Sequence, residues 1–128
     1  MQRLNLTIGL IAMGVLMTSG GMANAGSSGW MSVTKIKHYM QALNRTNQLP
    51  TSFLCKENPD KLASPLIKVT FKRNTTKTRW RWAWGTHFAI NDKPLLRNGY
   101  KRVSYSQARG YIGYKDKCGL WHKRPTER

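Results

Sequence analysis

The chain has 128 residues, of which 22 are lysine or arginine and five are acidic, so its formal net charge at pH 7 is +17. This length supports one small domain with a modest core and excludes a second domain of ordinary size. Such an excess of positive charge favours an anionic partner or surface, and we expect that binding to be strongly salt-dependent.

The first 25 residues have the pattern of a secretory signal peptide. Arg3 supplies a positive start, an apolar stretch follows over residues 4–17, and Ala23 and Ala25 form a small-x-small cleavage site. The apolar stretch is shorter than the roughly 20 residues that a membrane-spanning helix requires. We therefore expect residues 1–25 to be removed, which leaves residues 26–128 as one exported domain, periplasmic or secreted, without a transmembrane segment.

An amphipathic helix is predicted near the start of the mature chain, after a flexible leader over residues 26–29. Ser32 is an acceptable N-cap, and Pro50 requires the helix to end before it. Apolar side chains recur at intervals of three and four, at Val33, Ile36, Met40 and Leu43. This spacing predicts a helix with one buried face.

Two strands, "LIKVTFKRN" and "TRWRWAWG", follow an irregular segment and are predicted to form a hairpin with a turn at residues 74–77. In that register Phe71 faces Trp80, and the other alternating apolar residues face Trp82 and Trp84. The three tryptophans then belong to an apolar face that the helix covers. Packing inside the protein is favoured over a ligand platform or a membrane wedge.

Basic residues occupy the other face of the predicted hairpin. The same register places Lys72 opposite Arg79, and like charges that face each other across strands destabilise a sheet unless they splay into solvent or bind an anion. Both interpretations remain open at this point. The predicted cationic binding face consists of Lys68, Lys72, Arg79 and Arg81, assisted by Lys101 and Arg102.

The last third of the chain contains two turn signals, Asn91-Asp92 and Asn98-Gly99, and the second is typical of a type I′ hairpin. Cys55 and Cys118 are the two cysteines, and an exported chain predicts a disulfide between them. The predicted fold class is α+β, with one amphipathic helix packed on an antiparallel sheet of about four to six strands.

Signatures of catalysis are sparse. The sequence has no G-x-S-x-G elbow, and its histidines and cysteines lack the spacing of a metal site, so we expect neither a metal nor another cofactor. One enzymatic alternative has chemical content: a metal-independent ribonuclease in which His87 and His122 act as general base and general acid.

The sequence as a whole favours an exported, non-catalytic binding module. Its expected ligand is an anionic envelope component or polyanion, such as lipopolysaccharide, an acidic glycan or nucleic acid. Two alternatives stay open: the secreted ribonuclease, and an inhibitor or immunity-type partner of another exported protein.

Overall fold

The computed structural model describes residues 25–110 and 113–125. The predicted signal peptide therefore lies outside the described residues, except for Ala25. The described chain is α+β, with six strands and two helices. In chain order these are β1 (Gly26–Ser32), α1 (Val33–Arg45), β2 (Gln48–Lys56), β3 (Leu66–Arg73), β4 (Arg79–Trp84), α2 (Thr86–Arg97), β5 (Lys101–Arg109) and β6 (Lys115–Lys123).

The strands form two antiparallel sheets of three strands each, where the sequence predicted a single sheet. In the first sheet β3 lies between β1 and β2, and in the second sheet β6 lies between β4 and β5. The predicted hairpin is wrong. Phe71 of β3 is paired with Gly26 and Pro50, whereas Trp80 of β4 is paired with His122.

The connection between β3 and β4 crosses from one sheet to the other. The backbone N–H of Asn74 donates to the carbonyl of Asn47 at 2.9 Å. The Asn74 carboxamide accepts from the Thr78 N–H at 3.1 Å and donates to the Thr78 carbonyl at 2.8 Å. Because β1 and β2 already occupy both edges of β3, no edge remains for β4. The predicted leader over residues 26–29 is part of β1, and this strand excludes the hairpin.

Serine side chains join the two sheets where β2 runs beside β5. The N–H of Phe53 donates to Ser104 Oγ at 3.0 Å, and the N–H of Cys55 donates to Ser106 Oγ at 2.9 Å. These hydroxyls satisfy backbone donors on the edge of β2 that no neighbouring strand pairs. The predicted disulfide between Cys55 and Cys118 is confirmed, and it links β2 to β6 across the same boundary.

The principal core lies between α1 and the two sheets. Ile36, Met40 and Leu43 of α1 are buried there against side chains of β2, β3 and β6. The three tryptophans of β4 are half-buried and pack against this core from the second sheet. Their position agrees with a packing role, although their strand partners differ from the predicted ones.

Helix α2 occupies the segment in which turns were predicted. It covers the opposite face of the second sheet, where Phe88 packs with Trp121 in a smaller buried cluster. Asn98-Gly99 ends this helix and does not form a hairpin turn: Gly99 has φ +89° and the Tyr100 N–H donates to the Leu95 carbonyl at 3.0 Å. Neither described helix is long and apolar enough to cross a membrane.

Gly119 allows α2 to approach the second sheet, and Gly119→Ala is expected to lower the free energy of unfolding by about 1–3 kcal/mol. A Cβ at this position would lie 2.5 Å from Phe88 Cε2 and 3.1 Å from the Trp121 ring. Chemical denaturation would measure the loss. Adding Phe88→Leu should offset part of it, because the shorter side chain leaves room for the methyl group. Strictly additive losses in the double variant would contradict this steric explanation.

Candidate anion-binding site

The topology collects several strand ends at one end of the domain. The first residue of β2, Gln48, is paired with Arg73 at the end of β3. In the second sheet Arg79 at the start of β4 is paired with Lys123 at the end of β6, and β5 also starts there. The short connection over residues 74–78 holds the two groups of strand ends together. A contact of 2.8 Å between His122 Nε2 and the Pro50 carbonyl joins them as well.

We call this end of the domain the basic pole. It carries nine basic side chains, and none of the described carboxylates lies there. Eight of the nine side chains are exposed and Lys123 is half-buried. The basic pole consists of Arg45, Lys72, Arg73, Lys77, Arg79, Arg97, Lys101, Lys123 and Arg124.

The carboxylates of the described chain lie elsewhere. Glu57, Asp60 and Asp116 are at the opposite end, where β2 ends and β6 begins. Asp92 lies within α2 and binds Arg102 through contacts of 2.5 and 3.3 Å. It also accepts a hydrogen bond of 3.0 Å from the Trp121 indole. Charge is therefore distributed unevenly along the domain, with its most positive end at the basic pole.

The structure divides the predicted cationic face. Lys72, Arg79 and Lys101 lie at the basic pole, although Lys72 is paired with Leu49 and not with Arg79 as predicted. Arg81 lies two residues further along β4. Lys68 lies on the outer face of the first sheet, where its Nζ is 5.4 Å from the ring centroid of Trp30.

Arg102 differs from the other predicted residues because its charge is already paired. Besides its ion pair with Asp92, its guanidinium lies 5.3 Å from the Phe88 ring centroid and 5.5 Å from that of Tyr105. These contacts orient Arg102 across the surface of the second sheet. Its main role in the structure is therefore to attach α2 to β5.

A polar groove of about 200 Å³ opens at the basic pole, between the end of α1 and the start of β4. Four side-chain amides line it together with two arginines. The complete lining is Asn44, Asn47, Gln48, Asn74, Thr78, Arg79, Trp80 and Arg81. Sequence reasoning missed the amides, because they belong to separate segments that only the sheet topology brings together.

The two arginines of the groove have different surroundings. Arg81 Nη1 donates to the Trp80 carbonyl at 3.0 Å, and the Arg81 guanidinium lies 5.7 Å from the Tyr100 ring centroid. These contacts restrain its side chain. Arg79 is exposed and has no hydrogen bond or ion pair with any described residue. Arg79 can therefore direct its fork of N–H donors towards a ligand at no cost in internal contacts.

His122 is half-buried at the inner side of the basic pole, and burial lowers its pKa below the ordinary value of 6.5. The hydrogen bond with the Pro50 carbonyl opposes this shift, while the nearby charges of Lys72 and Arg124 add to it. Because Pro50 offers only an acceptor, Nε2 must carry the proton that bonds to it. His122 is thus a neutral structural donor near neutral pH, surrounded by cations.

The lowered pKa of His122 predicts that stability falls as the pH decreases below about 6.5. In that window the unfolded chain binds a proton that the folded chain resists, so protons favour unfolding until the folded pKa is reached. Urea denaturation at several pH values would measure the slope. His122→Gln should flatten it, because a glutamine amide can still donate to Pro50 but does not titrate. Burial also raises the pKa of Asp116, a contribution present in both proteins that cancels in the comparison. Identical pH profiles for the two proteins would contradict the assignment.

The structure does not bring His87 and His122 together. His122 is paired with Trp80 at the start of β4, whereas His87 follows the end of β4, in the first turn of α2. The strand spans about 13 Å between Trp80 and Trp84, so the two imidazoles serve opposite ends of it. This separation argues against the pair of histidines required by the ribonuclease alternative.

No group of three or more histidine, cysteine or acidic side chains among the described residues converges as metal ligands would. No protein-family model, curated protein or solved structure matches the chain. A function for the chain therefore has to be inferred from its own residues, and the basic pole with its groove is the surface that most favours one.

Proposed function

We propose that the protein is an exported, non-catalytic module that binds an anionic polymer at the basic pole. The observation that supports this is the distribution of charge: nine basic side chains at one end of a small domain, with no described carboxylate among them. Like charges held close together repel, and a bound polyanion relieves that repulsion. The pole is therefore a surface whose free energy improves when anions occupy it.

The shape of the surface favours a polymer over a small anion. The groove has a volume of about 200 Å³, which is less than the roughly 300–1,000 Å³ of pockets that enclose a small ligand. Its cations belong to strand ends of both sheets and to the last turns of both helices. Such a spread matches successive charges along a chain, and each contact releases counterions from the polymer.

Export is part of the proposal. The signal-like pattern of residues 1–25 and the disulfide between Cys55 and Cys118 both favour an oxidising compartment outside the cytoplasm. The anionic polymers available there include lipopolysaccharide, acidic glycans and released nucleic acid. The protein is then periplasmic or secreted, and its ligand belongs to the cell envelope or its surroundings.

Labelled RNA tests the proposal against both alternatives. The oxidised chain of residues 26–128 would be mixed with the RNA at low salt, and mobility and integrity followed during a sodium chloride titration. Intact RNA bound with a steep salt dependence is the expected result. Cleavage would overturn the proposal in favour of the ribonuclease, and no binding at low salt would overturn it in favour of a protein partner.

A further inference from the structure

We infer that the groove at the basic pole recognises the sugar units of an acidic polysaccharide. This inference rests on the proposed function and specifies the chemical class of its ligand. The basis is the combination of arginine donors with unused amide acceptors in one open groove. A ligand that satisfies both must carry anionic groups and hydroxyl groups on the same repeating unit.

The amide oxygens of the groove are free because their nitrogens are engaged. Asn47 Nδ2 donates to the Asn74 carbonyl at 3.3 Å, and Gln48 Nε2 donates to the Thr46 carbonyl at 3.2 Å. A carbonyl only accepts hydrogen bonds, so each amide must present its nitrogen to it. Within the described residues, no hydrogen bond uses Asn47 Oδ1 or Gln48 Oε1.

Asn44 adds a carboxamide that is unused as a whole. It is exposed on the last turn of α1, and no hydrogen bond joins its side chain to the described part of the chain. The groove thus offers acceptors from three amides beside the donors of Arg79 and Arg81. Asn74 takes no part in binding, because its carboxamide already bonds to Thr78 on both sides.

This pattern of donors and acceptors discriminates among polyanions. Polyphosphate presents acceptor oxygens, which suit the two arginines and leave the amide oxygens unpaired. The hydroxyl groups of a sugar are donors as well as acceptors, and they can bond to amide oxygens while a neighbouring carboxylate binds an arginine. A small open groove can seat one such unit and let the polymer continue on both sides.

A comparison of two polymers tests the inference. A galacturonic acid oligomer and a polyphosphate of equal charge would be titrated against the oxidised protein and a triple variant, Asn44→Ala with Asn47→Gly and Gln48→Met. Glycine suits position 47, because Asn47 has φ +60°. The matched control replaces amides outside the groove, Asn58→Ala with Asn91→Ala.

The triple variant should lose about 10- to 100-fold in affinity for the galacturonic acid oligomer and less than about 2-fold for polyphosphate. The control variant should bind both polymers like the unmodified protein. Equal effects on the two polymers, or none, would overturn the sugar inference and leave the proposed function intact. If neither polymer binds the unmodified protein at low salt, the proposed function fails as well. If the triple variant does not fold, Asn44→Ala alone carries the test, since its side chain has no partner within the described residues.

Discussion

Neutralising four cations of the basic pole is expected to weaken the binding of an anionic polymer by about 10²- to 10³-fold at roughly 0.1 M salt. The variant combines Lys72→Gln, Arg73→Gln, Lys77→Gln and Arg79→Gln, four exposed residues on β3, β4 and the connection between them. Each lost ionic contact removes one released counterion from the binding equilibrium. The slope of log affinity against log salt should therefore become less steep by up to about four contacts.

The matched control removes the same amount of charge from the opposite end. Lys35, Lys61, Lys115 and Lys117 are all exposed there, and their replacement by glutamine leaves the basic pole unchanged. Fluorescence anisotropy across a salt titration would compare the two variants. The control should lose only the small share of affinity that depends on net charge at a distance. Equal losses in both variants would mean that total charge, and not the basic pole, governs binding.

Stability provides a second readout for the pole variant. The four replaced side chains have no ion pair with any described carboxylate, so their removal relieves repulsion without breaking a contact. The free energy of unfolding should therefore stay the same or increase slightly. A large loss of stability would show that these cations have a structural role, and the binding data would then need a different explanation.

Removing the disulfide is expected to have the largest effect on folding, with a loss of about 4 kcal/mol. Cys55 and Cys118 are separated by 63 positions in the sequence, and cross-linking them restricts the unfolded chain strongly. The test variant is Cys55→Ala with Cys118→Ala, because both positions are buried among apolar side chains. The expected loss is a large part of the 5–15 kcal/mol that stabilises a typical domain.

Denaturation with and without a reducing agent completes that test. The unmodified protein should lose stability when it is reduced and approach the double alanine variant, whereas the variant should not respond. A difference below about 1 kcal/mol between oxidised and reduced protein would contradict the prediction. A large difference would make the fold dependent on an oxidising compartment, which is where the pattern of residues 1–25 directs the chain.

The sequence by itself determined properties that depend on local spacing. Because side chains alternate along a strand, Trp80, Trp82 and Trp84 had to share one face, and that face packs on the core. The interval between Ile36, Met40 and Leu43 placed them on one side of a helix, and all three are buried. With two cysteines only one internal disulfide was possible. The excess of positive charge and the class of its ligand are properties of composition.

Only the tertiary structure decided which strands are neighbours. Alternation looks the same whichever strand lies alongside, so a hairpin between β3 and β4 satisfied the pattern as well as the observed pairing did. Asn98-Gly99 suits a hairpin turn and a helix end equally, because both require a positive φ at glycine. The basic pole and its groove depend on which strand ends and helix ends meet. Residues as distant as Asn44 and Arg79 become neighbours only through long-range pairing, and no local pattern encodes that.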